Sequence, residues 1–313
     1  MALGGPAGLT TALNEKRRVL LSREAEAQTL ADRLPALLIE AMRIAMTIAH
    51  GIHGRRRAGP GETFWQFRQY ENADAATLID WRRSASSDQL YVREREWEAA
   101  HTFWLWTDLS ASMNFQSHLS AFSKRDRALV LLLAVAELLV RSGERVGLLG
   151  LSKAISSRNA TSRLAELIAT NENTPILTSS LPPAAQLSRF SGVIMVSDFL
   201  DPPADIITRI EALSADGVSG HLIQVLDPAE ETLPYEGRAE FYSPESDQRW
   251  VADHVDSLRE DYIARLAQHK ASISEHLQRI GWSHSAHHTD RSAAEPLLQL
   301  IMRLQTADAG GQR

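Results

Sequence analysis

The chain has 313 residues, 44% apolar and 23% charged, with 17 Gly, 12 Pro and no Cys, enough to bury one main core and carry an appendage. The missing cysteine excludes a disulfide framework, thiolate zinc sites, iron–sulfur ligation and a cysteine nucleophile, and agrees with a reducing compartment. The net charge of -6 is unevenly held: residues 1–100 carry 14 Lys and Arg against 13 Asp and Glu, leaving 19 against 26 for the rest, which argues against the concentrated positive face of a nucleic-acid binder.

Basic clusters at Lys16–Arg18, Arg55–Arg57 and Arg82–Arg83 have no helix–turn–helix or zinc-finger pattern around them and read as solvated or partner-facing surface. The first residues lack the basic, apolar and small-residue order of a signal peptide. The most apolar run, Ala128 to Val140, is interrupted by Glu137 and falls short of the roughly 20 residues of a membrane span. A soluble, cytoplasmic protein is the expectation.

From about Arg23 to His53, apolar residues at Leu30, Leu34, Leu37, Leu38, Met42, Ile44 and Ile48 follow a helical period, as one helix or as two joined by a bend near Pro35. Gly51 to Gly61 breaks it. Glu62 to Glu98 is dense in aromatic and charged side chains, among them Phe64, Trp65, Arg68, Tyr70, Trp81 and Trp97. It reads as an irregular module folded onto the domain that follows.

After His101 the pattern alternates. Strands are predicted at Phe103–Trp106, Val146–Leu149, Val193–Val196 and His221–Leu226, with helices at Ser120–Arg141 and Pro203–Ala215. Continuous apolar strands between amphipathic helices indicate a parallel sheet covered on both faces. A hairpin over Ala239 to Val251 then turns around Pro244–Asp247, and a helix runs from about His254 to Ile280. Trp282–His288 is the predicted last strand, Ala293–Leu304 the last helix, and the tail after Leu304 reads as frayed.

Ligands of such sheets bind beyond the carboxyl ends of the strands. Two oxygen-rich sequences fall there: Asp108-Leu109-Ser110-Ala111-Ser112 after the first strand, and Ser197-Asp198, followed by Asp201, after a later one. Carboxylates with two hydroxyls form an all-oxygen set suited to a hard divalent cation, magnesium or manganese. The plain alternative has Ser110 and Ser112 capping a helix while Asp108 holds the turn.

The Asp108–Met113 run resembles the metal-ion-dependent adhesion site of von Willebrand factor A-like domains. A longer ordered series resembles the bacterial family called domain of unknown function 58: Gly61–Phe64, Arg68–Tyr70, Ile79–Trp81, Leu90–Glu94, the Asp-x-Ser-x-Ser-Met run, Ser197–Phe199, Glu240-Phe241 and the Leu258–Tyr262 helix. The resemblance covers roughly Gly54 to Leu304. It implies a von Willebrand A-like, Rossmann-like fold and a non-enzymatic partner of a MoxR-type AAA+ ATPase, acting as an adaptor or co-chaperone in maturation of other proteins. It also implies that Asp108, Ser110 and Ser112 hold the cation with Asp198 and a loop threonine, Thr178 by position, with Thr161 and Thr174 as alternatives. A partner's carboxylate would fill the open position. The sequence departs from the family where a glycine, a second acid and an arginine are replaced by Ala73, Ala75 and Thr77.

A phosphatase of the haloacid dehalogenase type would use Asp108 and Asp198, but Ser110 stands where its second carboxylate belongs. Gly150–Ala154 approximates a serine-hydrolase elbow without its final glycine, and no phosphate-binding glycine motif occurs. His284, His287 and His288 read more readily as a surface strand edge than as a transition-metal site. The expected organisation is therefore an N-terminal helical and aromatic module (1–98), a von Willebrand A-like domain (99–235), a C-terminal extension packed on it (236–304) and a tail (305–313). Trp65, Arg68 and Trp81 are candidates for touching the partner, or for clamping the module in place.

Overall fold

The structure is a computed structural model and describes residues 30, 32–49, 64–70, 79–85, 87, 89–95, 100–214, 217–246 and 248–310, with backbone alone at 64–68, 93–95 and 306–310. Two compact units compose the chain, one of His53–Ala100 and one of the residues up to Ile52 together with His101–Arg313. The larger unit opens with helix α1 (32–49). Over the described residues α1 runs through Pro35 as one helix. Its Leu34, Leu37, Ala41, Ala45 and Ile48 belong to the main core, which is why α1 groups with the sheet rather than with the aromatic segment.

In the smaller unit, β1 (Phe64–Gln69) pairs antiparallel with β2 (Tyr91–Arg95), and the short α2 (Trp81–Ser84) lies between them in sequence. Asp80 caps α2 by accepting from the Arg83 N–H at 2.9 Å. The Ser84 hydroxyl takes the Tyr91 N–H at 2.9 Å and so ties the helix to β2.

The larger unit continues with β3 (Thr102–Thr107), α3 (Lys124–Arg141), β4 (Arg145–Leu148), α4 (Ala160–Thr170), α5 (Pro175–Thr178), β5 (Gly192–Ser197), α6 (Pro203–Leu213) and β6 (Ser219–Leu226). It ends with α7 (Pro228–Thr232), a hairpin of β7 (Ala239–Tyr242) and β8 (Arg249–Ala252), α8 (Arg259–Arg279), β9 (Ser283–His288) and α9 (Ala294–Gly310). The main sheet has the order β4-β3-β5-β6-β9, and every pairing in it is parallel. This is the mostly parallel, Rossmann-like α/β class expected, and no described helix is long and apolar enough to cross a membrane.

The sheet is buried on both faces because its strands alternate between two cores. Phe103 and Leu105 of β3, with Ile194 and Val196 of β5, meet α1, α3, α4 and α9 on one face. Trp106, Val193 and Met195 face α6 and α8 on the other. The apolar run in α3 is the centre of the first core. On β6, a Cβ at Gly220 would lie 2.0 Å from the Trp282 ring, so glycine there lets the indole lie flat on the strand.

Several boundaries differ from expectation for local reasons. Helix α3 starts at Lys124 rather than Ser120 because Ser123 caps it, its hydroxyl accepting the Asp126 N–H at 3.1 Å. Helix α9 continues past Leu304 to Gly310, and β9 joins the main sheet as its fifth strand. Since β3 pairs with β4 on one side and β5 on the other, the loops leaving β3 and β5 diverge at the topological switch point.

Candidate functional site

The loop after β3 begins beside β5, where the Asp108 N–H donates to the Val196 carbonyl at 3.1 Å. The Asp108 side chain is fully buried. One of its oxygens accepts the Ser110 N–H at 2.7 Å and the other the Ser197 hydroxyl at 2.9 Å. Burial, reinforced by the neighbouring Asp198 charge, pushes its carboxyl up to about 7. The Ser110 and Ser112 hydroxyl oxygens are 3.1 Å apart, and Ser112 donates to Asp198 Oδ2 at 3.1 Å.

Asp198 is aimed by the turn that ends β5. Phe199 is buried with a left-handed φ of 47°, a conformation that side chains other than Gly and Asn rarely adopt. His269 Nε2–H donates to the Phe199 carbonyl at 2.6 Å, and Gln224 donates to the Asp198 carbonyl at 2.7 Å. These two bonds hold the turn against its strain.

Lys124, the first residue of α3, completes the cluster. Its side chain is 1% exposed, and Nζ donates to Asp198 Oδ2 at 2.8 Å and to Glu230 Oε1 at 2.5 Å. Burial alone would lower the lysine pKa, but the two carboxylates together hold it above its ordinary value. Glu230 is positioned by a capping box at α7, accepting the Asp227 N–H at 2.9 Å while Asp227 accepts from Ala229 at 2.9 Å. Among the described residues no cation pairs with Asp108.

The cluster opens into a cavity of about 780 Å³. Ser112, Lys124, Asp198, Asp201 and Glu230 form its polar end, and Phe115, Leu200, Tyr235, Phe241 and Tyr262 are among its walls. The β7–β8 hairpin borders the other side through Phe241, Pro244 and Glu245, and Glu245 Oε1 accepts the Ser112 N–H at 2.9 Å.

The structure thus brings Asp108, Ser110, Ser112 and Asp198 together. Thr178 is exposed on α5 and its hydroxyl donates to the Thr174 carbonyl at 3.1 Å. Thr174 bonds the Asn171 carbonyl, and Thr161 bonds Glu137 at the other end of α3. Ser180, two residues after Thr178, also lines the cavity, its hydroxyl donating to Asp201 at 3.0 Å. Sequence reasoning missed Lys124, Ser180, Glu230 and Glu245. Of these only Lys124 carried a signal, a cation opening the most apolar helix of the chain. Trp81 is exposed on the smaller unit, where Trp65 and Arg68 lie on β1 with side chains outside the described residues. Ser152 is a turn residue whose hydroxyl accepts the Leu148 N–H. On the edge strand β9, His287 is buried and His288 pairs with Glu231.

A family model described as "Protein of unknown function DUF58" matches residues 66–272. The uncharacterized proteins Mb1516 of Mycobacterium bovis and Rv1480 of Mycobacterium tuberculosis are each 27% identical over 281 residues, covering 85% of this chain and 87% of theirs. Among solved structures, the conserved hypothetical protein BatB from Bacteroides thetaiotaomicron is 14% identical with a TM-score of 0.37, covering 66% of this chain and 100% of its own. An aerotolerance-related membrane protein from Bacteroides fragilis is 15% identical with a TM-score of 0.37, covering 65% and 100%.

Proposed function

The chain belongs to the DUF58 family, and from that premise we propose that the carboxyl end of its sheet is a protein-recognition site of the metal-ion-dependent adhesion kind. The observation that carries this reading is the run of oxygens Ser110, Ser112 and Asp198, spaced 3.1 Å apart above the buried Asp108. Ligands on one edge of a magnesium octahedron, with bonds of 2.0–2.1 Å, stand about 3 Å apart. The donor set fits magnesium or manganese in charge as well, because Lys124 already serves Asp198 and Glu230 and Asp108 has no cation among the described residues. Asp108, Ser110 and Ser112 would hold the ion, with Asp198 beside them. When bound, the ion would offer an open position to a carboxylate from another protein.

The protein's own residues contribute rigidity and exclusion. Lys124 fixes Asp198, and the aromatic walls shield the polar end from bulk water, which strengthens any charged contact made there. The function is then binding rather than turnover, and the partner is an AAA+ ATPase of the MoxR type, for which the chain serves as adaptor or co-chaperone. Calorimetry with Mg2+ and Mn2+ tests the metal. Binding by the wild type and its loss in Asp108→Ala are expected, and a silent wild-type titration sinks the claim. Capture of the ATPase should weaken in Asp108→Ala and on chelation. Hydrolysis of a generic phosphoester that disappears in Asp108→Asn would replace this reading with the phosphatase one.

A further inference from the structure

We infer that the β7–β8 hairpin is the site's resident ligand. Glu245 holds the place of a partner's acid, and the partner segment that displaces it carries an acidic residue beside an apolar one, as Pro244-Glu245 does. The inference rests on the recognition reading above and adds what the site recognises and what keeps it closed.

Three observations carry it. First, Glu245 reaches across the cavity to the backbone N–H of Ser112, the residue whose hydroxyl touches Asp198. A carboxylate is otherwise unwelcome there, since Asp198, Asp201 and Glu230 share the same end of the cavity. Its arrival therefore reports a specific donor, a charge-assisted bond to one amide, and the surrounding acids keep that bond from being tight.

Second, the hairpin is built to lift. Its two strands pair only with each other, and isolated hairpins are marginal in water. It is anchored at its base, where Ala252 joins Leu233 and Val255 with Tyr235 and Phe241 packed around them. Third, the hairpin carries accessible apolar surface, with Tyr242 61% and Trp250 55% exposed, and Phe241, Tyr242 and Pro244 line the cavity. Once the hairpin moves, an acidic segment with apolar neighbours meets the same amide and the same walls.

The test is a fluorescently labelled synthetic peptide of residues 239–252, titrated against the full chain as wild type and as Glu245→Ala, beside a peptide in which the glutamate at 245 is Gln. A tethered segment competes at an effective concentration of order mM. Removing its carboxylate should therefore tighten peptide binding about tenfold or more, and the Gln peptide should lose that binding. Equal affinity for the two proteins, equal binding of the two peptides, or no binding to Glu245→Ala overturns the inference. Mn2+ calorimetry on the same proteins separates the two readings. Mn2+ bound without a peptide difference keeps the recognition site and discards the resident ligand, whereas absence of both discards both.

Discussion

Helix α3 buries a charged cluster at each end, and the one at its amino end borders a cavity. At its carboxyl end Glu137 is 5% exposed. One of its oxygens takes the Thr161 hydroxyl at 2.8 Å, and the other pairs with Arg141 at 2.7 Å. That cluster is balanced, one acid against one base. At its amino end Asp198 and Glu230 share the Lys124 ammonium under an opening of about 780 Å³, and Asp108 lies buried near Asp198 with no cation of its own among the described residues. Buried charge alone therefore does not mark a site, because structural ion pairs are buried too. A surplus of acceptors with room above them does.

The comparison is broken most violently at Lys124. Lys124→Met should remove about 3–5 kcal/mol of stability, since two carboxylates would stay buried without their cation. Urea unfolding of the two proteins measures it, and a loss under about 1 kcal/mol would mean that the amino-end cluster is as self-sufficient as the other. Asp108→Asn acts in the opposite direction. Burial and Asp198 raise the folded-state pKa of Asp108 from 3.8 to about 7, so ionisation favours the unfolded chain as pH rises from about 4 to 7. With chelator present, the Asn variant should be more stable than wild type by on the order of 1–3 kcal/mol at pH 8. The gain should shrink as pH falls and vanish near pH 4. A variant less stable than wild type at pH 8 would show that Asp108 holds the loop rather than waiting for a ligand.

Much of this was legible in the sequence because the sheet follows a short-range rule. Uninterrupted apolar strands such as Val193–Val196 announce a sheet covered twice, and the acids that follow them mark the ligand end. The series of motifs from Gly61 to Tyr262 also pointed to the family that the comparison then returned. What stayed hidden was long-range. Glu230 meets Lys124 across 106 residues and Glu245 meets Ser112 across 133, and no local pattern links them. Helix α4 (Ala160–Thr170) was not anticipated, although Leu164, Ala165 and Ile168 bury one face of it. Thr178 was a choice by position; its hydroxyl bonds the Thr174 carbonyl, while Ser180, two residues on, lines the cavity.

The smallest effect sharpens the comparison from the balanced end. Glu137→Gln keeps an amide oxygen for the Thr161 hydroxyl, so that buried hydrogen bond survives, while its NH2, a donor set against the Arg141 guanidinium, has to find another acceptor. What disappears is the pairing with Arg141, an i,i+4 contact to a side chain that is 47% exposed, and such pairs contribute about 0.3–0.5 kcal/mol. The variant should therefore unfold within about 1 kcal/mol of wild type and bind Mn2+ and the 239–252 peptide unchanged. A change in either binding would mean that the two ends of α3 are coupled through the helix. The surplus of acid at the amino end would then be set partly from the other end, and the two clusters would have to be treated as one.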